Sequence, residues 1–352
     1  MKLGLVVDYA GGFQQTAELL VEYERAGVDV IAIPEAYSFD AVSQLGYVAA
    51  KTKRVQLMSS VLPIYSRTPT LIAMTAAGLD SVSDGRFILG LGASGPQVIE
   101  GFHGVRYDRP LGRTREVVEI CRQVWRRETL RHRGRDYRIP LAKEDGGTGL
   151  GKPLKLINNP ARADIPISIA ALGHKNVELA AEIAQGWQPG FFHPLKARAV
   201  WGTALDVGLA RRARTLGALE IQVQVNFLLG QASPSEERKV RDQMALYLGG
   251  MGARGKNFYN ELACRYGYRS AAEEIQARYL AGHKEAAALA VPSELIDAVT
   301  LIGDPTTVRR RVNEFAAAGV TTLLLNPLAA TAEDRVAQVR DLVALVAGEA
   351  GG

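Results

Sequence analysis

The chain has 352 residues, of which 47% are hydrophobic and 22% charged, with a formal net charge of +5. That balance belongs to globular proteins long enough for a sizeable core and excludes disorder, and the mild charge, spread over helices, argues against nucleic acid. Two cysteines without a C-x-x-C partner and five histidines without H-x-H or H-E-x-x-H spacing argue against a disulfide framework and a histidine-rich site, so no metal is expected.

In chain order, the apolar start Leu3–Val7 is interrupted by Asp8 too soon for a signal peptide, and no window reaches the length of a membrane span; a cytoplasmic location with no membrane partner is expected. Runs rich in Val, Ile or Leu predict strands at 3–7, 29–33, 55–60, 87–91, 165–170, 219–229 and 321–326, with a weaker one at 186–192. Helices are predicted at 14–26, 69–83, 113–127, 175–185, 305–318 and 332–346, several ending at a glycine. Thr68-Pro69 and Asp304-Pro305 each supply a side-chain acceptor followed by a proline whose missing N–H costs nothing at a helix start. In helix 113–127, Val117, Ile120, Cys121, Val124 and Trp125 form one apolar stripe, so Cys121 is expected to pack as a small apolar residue. The arginine-rich run 122–135 reads as a solvated helix end with its loop.

Eight apolar strands alternating with helical stretches, and buried on both faces, predict a closed (β/α)8 TIM barrel. It is expected as a single domain over 1–352, with insertions at about 128–164, rich in glycine and proline, and at about 235–300.

In such a barrel the chemistry gathers where the strands end. The candidates there are Asp8, Glu35 with Tyr37, Ser59 to Val61, Ala93 to Gly95, Ala171 to His174, Gly190 with Phe191, Asn226 and Asn326. Gly90-x-Gly92-x-x-Gly95 matches a dinucleotide fingerprint as a pattern. Three βα units precede it, no acidic residue ends a strand about 20 positions on, and Pro96 removes an amide, so the glycines are better read as flanking a ligand ring inside a barrel. At Ala170–Asn176 a strand ends, Gly173 allows a tight turn, and a helix begins with unpaired N–H groups, an anion pocket in outline. Ser94 sits in G-A-S-G and makes no nucleophile elbow.

With these residues placed, the chain resembles the luciferase-like flavin and deazaflavin oxidoreductases, particularly the coenzyme F420 branch that includes methylenetetrahydromethanopterin reductase. The resemblance rests on Arg54–Leu62 with Ser66-Arg67-Thr68-Pro69, on Gly85–Gly95, on Gly173–Ala180 and on Gly186–Phe192. It implies a barrel holding the deazaflavin at its carboxyl face, with a cis peptide matching Ser60-Val61. The ring's edge would meet Ala93, Ser94 and Gly95, and Leu172, Gly173 and His174 would offer amides to the cofactor phosphate. Asp8, Gly190 and Phe191 join the implied cofactor set. Relatives that oxidise alcohols end the second strand in Asp-His; here the pair is Glu35-Ala36, so that chemistry does not transfer, and Glu35 is left as the catalytic candidate.

The expected function is therefore an F420-dependent oxidoreductase moving a hydride between the deazaflavin and an electrophilic carbon of a small molecule. Tyr37, Tyr65, Phe191 and the insertion near 245–285 are expected as substrate walls, and family analogy implies a homodimer. The rivals are an FMN-dependent monooxygenase on the same barrel and a flavin-holding barrel without turnover.

Overall fold

In the computed structural model, which describes residues 1–7 and 12–348, the alternating strands close on themselves. The barrel strands are β1 (Lys2–Val6), β2 (Val30–Ile33), β3 (Gln56–Ser59), β4 (Phe87–Gly92), β5 (Ile167–Ala170), β6 (Gly186–Gln188), β7 (Glu220–Leu229) and β8 (Thr322–Pro327). Each pairs in parallel with the next, and β8 pairs with β1 to complete the circle. Around it lie α1 (Phe13–Arg25), α2 (Ala41–Lys51), α3 (Pro69–Val82), α4 (Pro110–Trp125), α5 (His174–Ile183), α6 (Pro194–Arg211), α7 (Pro305–Ala317) and α8 (Ala332–Ala347). The predicted barrel is the observed one.

Local chemistry sets the helix starts. Thr68 accepts from the Leu71 N–H at 3.2 Å and Asp304 from that of Thr307 at 2.7 Å, each with proline at the first helical position. Two helices depart from expectation. Periodicity did not announce α2 or α6, and the sixth strand stops at Gln188 rather than 192, because Pro189 follows and Phe191 takes a positive φ of 45°.

The pairing of β3 with β4 is broken in a way that shapes the mouth. Met58 lies opposite Ile88, and pairing resumes only at Leu62 opposite Leu91. Residues 59–61 thus face only 89–90, a β-bulge of one extra residue. Ser59 fills the gap, its hydroxyl donating to the Gly90 carbonyl and accepting from the Gly90 N–H, both at 2.9 Å. The chains are so close that a Cβ on Gly90 would lie 1.7 Å from the Ser59 carbonyl oxygen, and one on Gly92 2.5 Å from Val61 Cγ2.

Arginines tie the outer layer together. Arg86 donates to the carbonyls of Ala49, Thr52, Val55 and Ser83, closing the end of α2 onto β3 and β4. The run 122–135 is less solvated than expected, since Arg122 reaches the Ile183 carbonyl at 2.6 Å and Arg127 that of Leu156 at 3.2 Å. The first insertion carries a short hairpin, His132–Arg133 with Arg138–Ile139, whose turn is held by Glu116 accepting the N–H groups of Arg135, Asp136 and Tyr137. The second brings helices Pro234–Ala245, Phe258–Arg265, Arg269–Leu280, Lys284–Leu289 and Ser293–Val299 before the short strand Leu301–Gly303, which pairs with the far end of β7. Cys121 is fully buried, as its stripe predicted. Among the described residues no helix is long and apolar enough to cross a membrane.

Because main chain blocks any side chain at position 90, Gly90→Ala is expected to cost about 3 kcal/mol or more and to lower the thermal midpoint by roughly 5–10 °C. Gly95 has nothing within 4 Å of its missing Cβ. Gly95→Ala should stay within about 0.5 kcal/mol of the parent in the same thermal melts.

Candidate functional site

The candidates converge at the carboxyl ends of β2 to β6. The Ser60-Val61 peptide is cis, and the Ser60 hydroxyl crosses to Gln188 Oε1 on β6 at 2.9 Å. On β4, Ala93 is half-buried, Ser94 is exposed with φ 57°, and the Tyr107 hydroxyl donates to the Ser94 carbonyl at 3.3 Å. Ala36, Ser94 and Phe191 place three non-glycine left-handed residues just beyond β2, β4 and β6. Such conformations persist where surrounding contacts hold them, and they gather at binding sites.

The β5 tip is pinned from below by two indoles. Trp187 Nε1 donates to the Ala171 carbonyl and Trp201 Nε1 to that of Leu172, each at 2.9 Å. The two rings meet edge to face at 5.2 Å, and Phe192 stacks on Trp201 at 5.8 Å. Gly173 then starts α5 without a side-chain cap, and the first turn's hydrogen bond runs from Val177 to the Gly173 carbonyl. The N–H groups of His174, Lys175 and Asn176 are left for solvent or a ligand. A Cβ on Gly173 would meet nothing within 4 Å, so there is open space at the turn that begins the helix. The room and the donors fit a phosphate.

At β6, Gly190 sits 2.9 Å, measured from its missing Cβ, from the Tyr259 ring, and the Tyr266 hydroxyl donates to the Phe191 carbonyl at 3.0 Å while accepting the His193 N–H at 3.2 Å. His193 is buried and its Nδ1 has no partner among the described residues; burial, with Lys196 nearby, pushes its pKa down to about 4.

Beside these tips is a cavity of about 90 Å³. Its walls are Phe191, Tyr247 and Tyr259, in mutual edge-to-face contact at 4.8–5.6 Å, with Met244 and Val299. Its polar lining is Gln224 and Asn226 of β7, Gln243 and Thr300. Among the described residues no charged side chain lines it.

Two expected roles change. Glu35 is buried and neither oxygen is free: Oε1 takes Arg67 Nη1 at 2.6 Å, and Oε2 takes Arg67 Nη2 at 2.8 Å and the Ala41 N–H at 3.1 Å. A carboxylate engaged in this way positions the start of α2 rather than exchanging a proton. Arg67 also holds Asp40 at 2.6 Å, and its hydrogen bond to Glu35 raises its pKa against the opposing effect of burial. Tyr65 is no substrate wall: it is 8% exposed, its hydroxyl donates to the Asp108 carbonyl at 2.6 Å, and its ring supports Tyr107 at 5.2 Å. Tyr37 keeps a place at the outer lip: it is 61% exposed, 6.2 Å from the open ring of Phe102, and near enough to Tyr247 of the cavity wall that, after burial, it helps to raise that phenol's pKa. Asp8 lies outside the described residues.

Nothing in the sequence marks Tyr107 and Trp201 as supports, because each acts on a partner remote in the chain. Arg67 falls inside the Ser66–Pro69 segment that carries the resemblance, and Trp187 and Gln188 inside Gly186–Phe192, but in none of them does the motif name the partner.

Comparison with known proteins places this geometry. A family model described as luciferase-like monooxygenase matches residues 3–322. A Mycobacterium tuberculosis protein, provisionally named a coenzyme F420-dependent oxidoreductase, is 44% identical over 351 residues, covering 98% of this chain and 99% of the relative. The 5,10-methylenetetrahydromethanopterin reductase of Archaeoglobus fulgidus is 28% identical over 308 residues, covering 86% of each. Among solved structures, the coenzyme F420-dependent tetrahydromethanopterin reductase of Methanopyrus kandleri superposes with a TM-score of 0.80 at 21% identity, over 96% of this chain and 97% of that one. At that identity the likeness establishes the fold.

The Glu35–Arg67 pair has side chains only 8% and 14% exposed. Arg67→Met, which strands the carboxylate, is expected to cost about 3–5 kcal/mol in denaturation experiments, and adding Glu35→Gln should restore most of it. His193 generates a pH dependence. The unfolded chain binds a proton near pH 6.5 that the folded chain refuses until about pH 4, so stability falls as pH drops through that window. Thermal midpoints of His193→Gln should fall less steeply than the parent's between pH 6.5 and 4 and run parallel to it above pH 7.

Proposed function

The chain belongs to the luciferase-like monooxygenase family, and we propose that within it the protein is an oxidoreductase that binds coenzyme F420 at the barrel mouth and acts on a small organic substrate. The observation that carries the reading is the 44% identity, over nearly the whole of both chains, to a relative named for F420. The open space at the Gly173 turn that begins α5 supports it independently. When bound, F420 supplies a hydride donor or acceptor on its deazaflavin ring.

The protein's own residues bind and orient. In this reading Ser60 and Val61 present the bulge to one side of the ring, with Ser60 fixed by Gln188. Ala93, Ser94 and Gly95 border it, and the small side chains there keep the approach open. Leu172, Gly173 and His174 receive the phosphate, where the start of α5 adds the favourable end of its dipole. Gly190 and Phe191 separate the cofactor from the acceptor cavity. Glu35 acts through Arg67 and Ala41 to hold the β2 end in place. A homodimer is part of the proposal: Leu71, Met74 and Val82 are exposed apolar side chains of α3, of the kind a second copy would cover.

Parallel titration with F420 and FMN tests the reading. Saturable F420 binding with no FMN uptake is expected; a retained flavin with oxygen consumption overturns it. Gly173→Asp places a carboxylate in the open space and should weaken F420 by on the order of 100-fold, through repulsion at close range, with the melting temperature unchanged. Undiminished affinity in that variant removes the phosphate site.

A further inference from the structure

The barrel lumen is divided by chemistry. Val30 and Ala32 of β2, Met58 of β3, Ile88 of β4 and Leu324 of β8 form a compact apolar cluster with Val6 of β1. On the opposite side, β5 to β7 contribute Ser168, Gln188, Gln222, Gln224 and Asn226. The cavity beside Phe191 stands over this polar half.

Its amides form a one-way relay. Asn326 Nδ2 donates to Asn226 Oδ1 at 2.7 Å, and Asn226 Nδ2 donates to Gln243 Oε1 at 2.7 Å. The relay ends on Gln243 Nε2, which has no acceptor among the described residues. Gln224 sits mid-strand yet exposed, and its side-chain amide makes no hydrogen bond to any described residue. Asn226 is buried and Gln243 half-buried, so the relay leads from the barrel to an N–H group that opens on the cavity and is free to meet an acceptor atom there. With no charged side chain in the lining among the described residues, an anion or cation entering would give up its hydration without a counter-ion from them. The rings of Phe191, Tyr247 and Tyr259 offer apolar walls to a flat body.

Resting on the F420 reading above, we propose that this cavity is the acceptor pocket and takes an uncharged, planar compound whose carbonyl oxygen is received by Gln243, such as an enone or a lactam. Gln243 is then a specificity-determining residue contributed by the second insertion.

The test uses the full chain saturated with F420 and ligand-observed NMR titration of three probes: cyclohex-2-en-1-one, its anionic relative 3-oxocyclohex-1-ene-1-carboxylate, and cyclohexene. Cyclohexenone is expected to bind at least ~100-fold more tightly than the carboxylate, which pays for an unpaired buried charge. It should also bind about fivefold to tenfold more tightly than cyclohexene, which lacks the acceptor oxygen. Gln243→Met should lower cyclohexenone to the cyclohexene level while F420 affinity and thermal midpoint stay at parent values, and Gln243→Lys should turn the preference toward the carboxylate. Equal binding of neutral and anionic probes, no binding of cyclohexenone, or an unchanged Gln243→Met overturns the pocket assignment while leaving the F420 reading intact. Absence of F420 binding at the first step removes both.

Discussion

The mouth of this barrel depends on how closely β3 can approach β4. Three residues of one strand are fitted against two of the other, and the Ser59 hydroxyl takes over the donor and acceptor that the ladder would have used on Gly90. Main chain lies where a Cβ on Gly90 would be. Only glycine there lets the bulge lean inward, and only because it leans inward can Ser60 reach Gln188 across the opening. A bulge next to a binding site re-aims side chains, and here it ties the third strand to the sixth.

The same contact separates what the three glycines of this segment do. As a sequence pattern, Gly90, Gly92 and Gly95 are alike in leaving room beside the main chain. Gly95 does face open space, but Gly90 and Gly92 make room for Ser59 and Val61 of the neighbouring strand. The barrel itself was legible because parallel strands covered on both faces are continuous apolar runs, and these survive without knowledge of partners. Helix α6 was not legible because Leu195, Val200, Leu205 and Leu209 are spread around its circumference instead of lying on one stripe. The supports of the site were hidden for another reason: Arg67 finds Glu35 at a separation of 32 residues, Tyr107 finds Ser94 at 13, and Gln188 finds Ser60 at 128. Periodicity carries no record of such pairings.

Glu35 illustrates the difference between a strand-end position and a role. Its place at the end of β2 was enough to nominate it, yet chemistry depends on what its oxygens touch. Arg67 and the Ala41 amide occupy both, so Glu35 serves the second strand as a strut. Asp40, which shares Arg67, also caps α2 by accepting the Ser43 N–H at 2.8 Å, so one guanidinium joins the β2 end to the helix that follows it.

The two halves of the mouth are made from different material, and this bears on how specificity is set. The proposed cofactor side consists of strand ends and main-chain amides, fixed from beneath by Trp187, Trp201 and Tyr107, and few of its contacts depend on side-chain identity at the surface. The cavity side is closed by side chains of the second insertion, among them Gln243, Tyr247 and Tyr259. The β6 end joins the halves: Gly190 and Phe191 border the cavity, and Tyr266 from the insertion grips the Phe191 carbonyl and the His193 amide together. Changes in the insertion can therefore alter which acceptor is received without disturbing the amides at Gly173, provided Tyr266 keeps its grip. Burial raises the pKa of the Tyr266 phenol, so this group stays protonated and able to donate across the range in which a protein of this kind is folded.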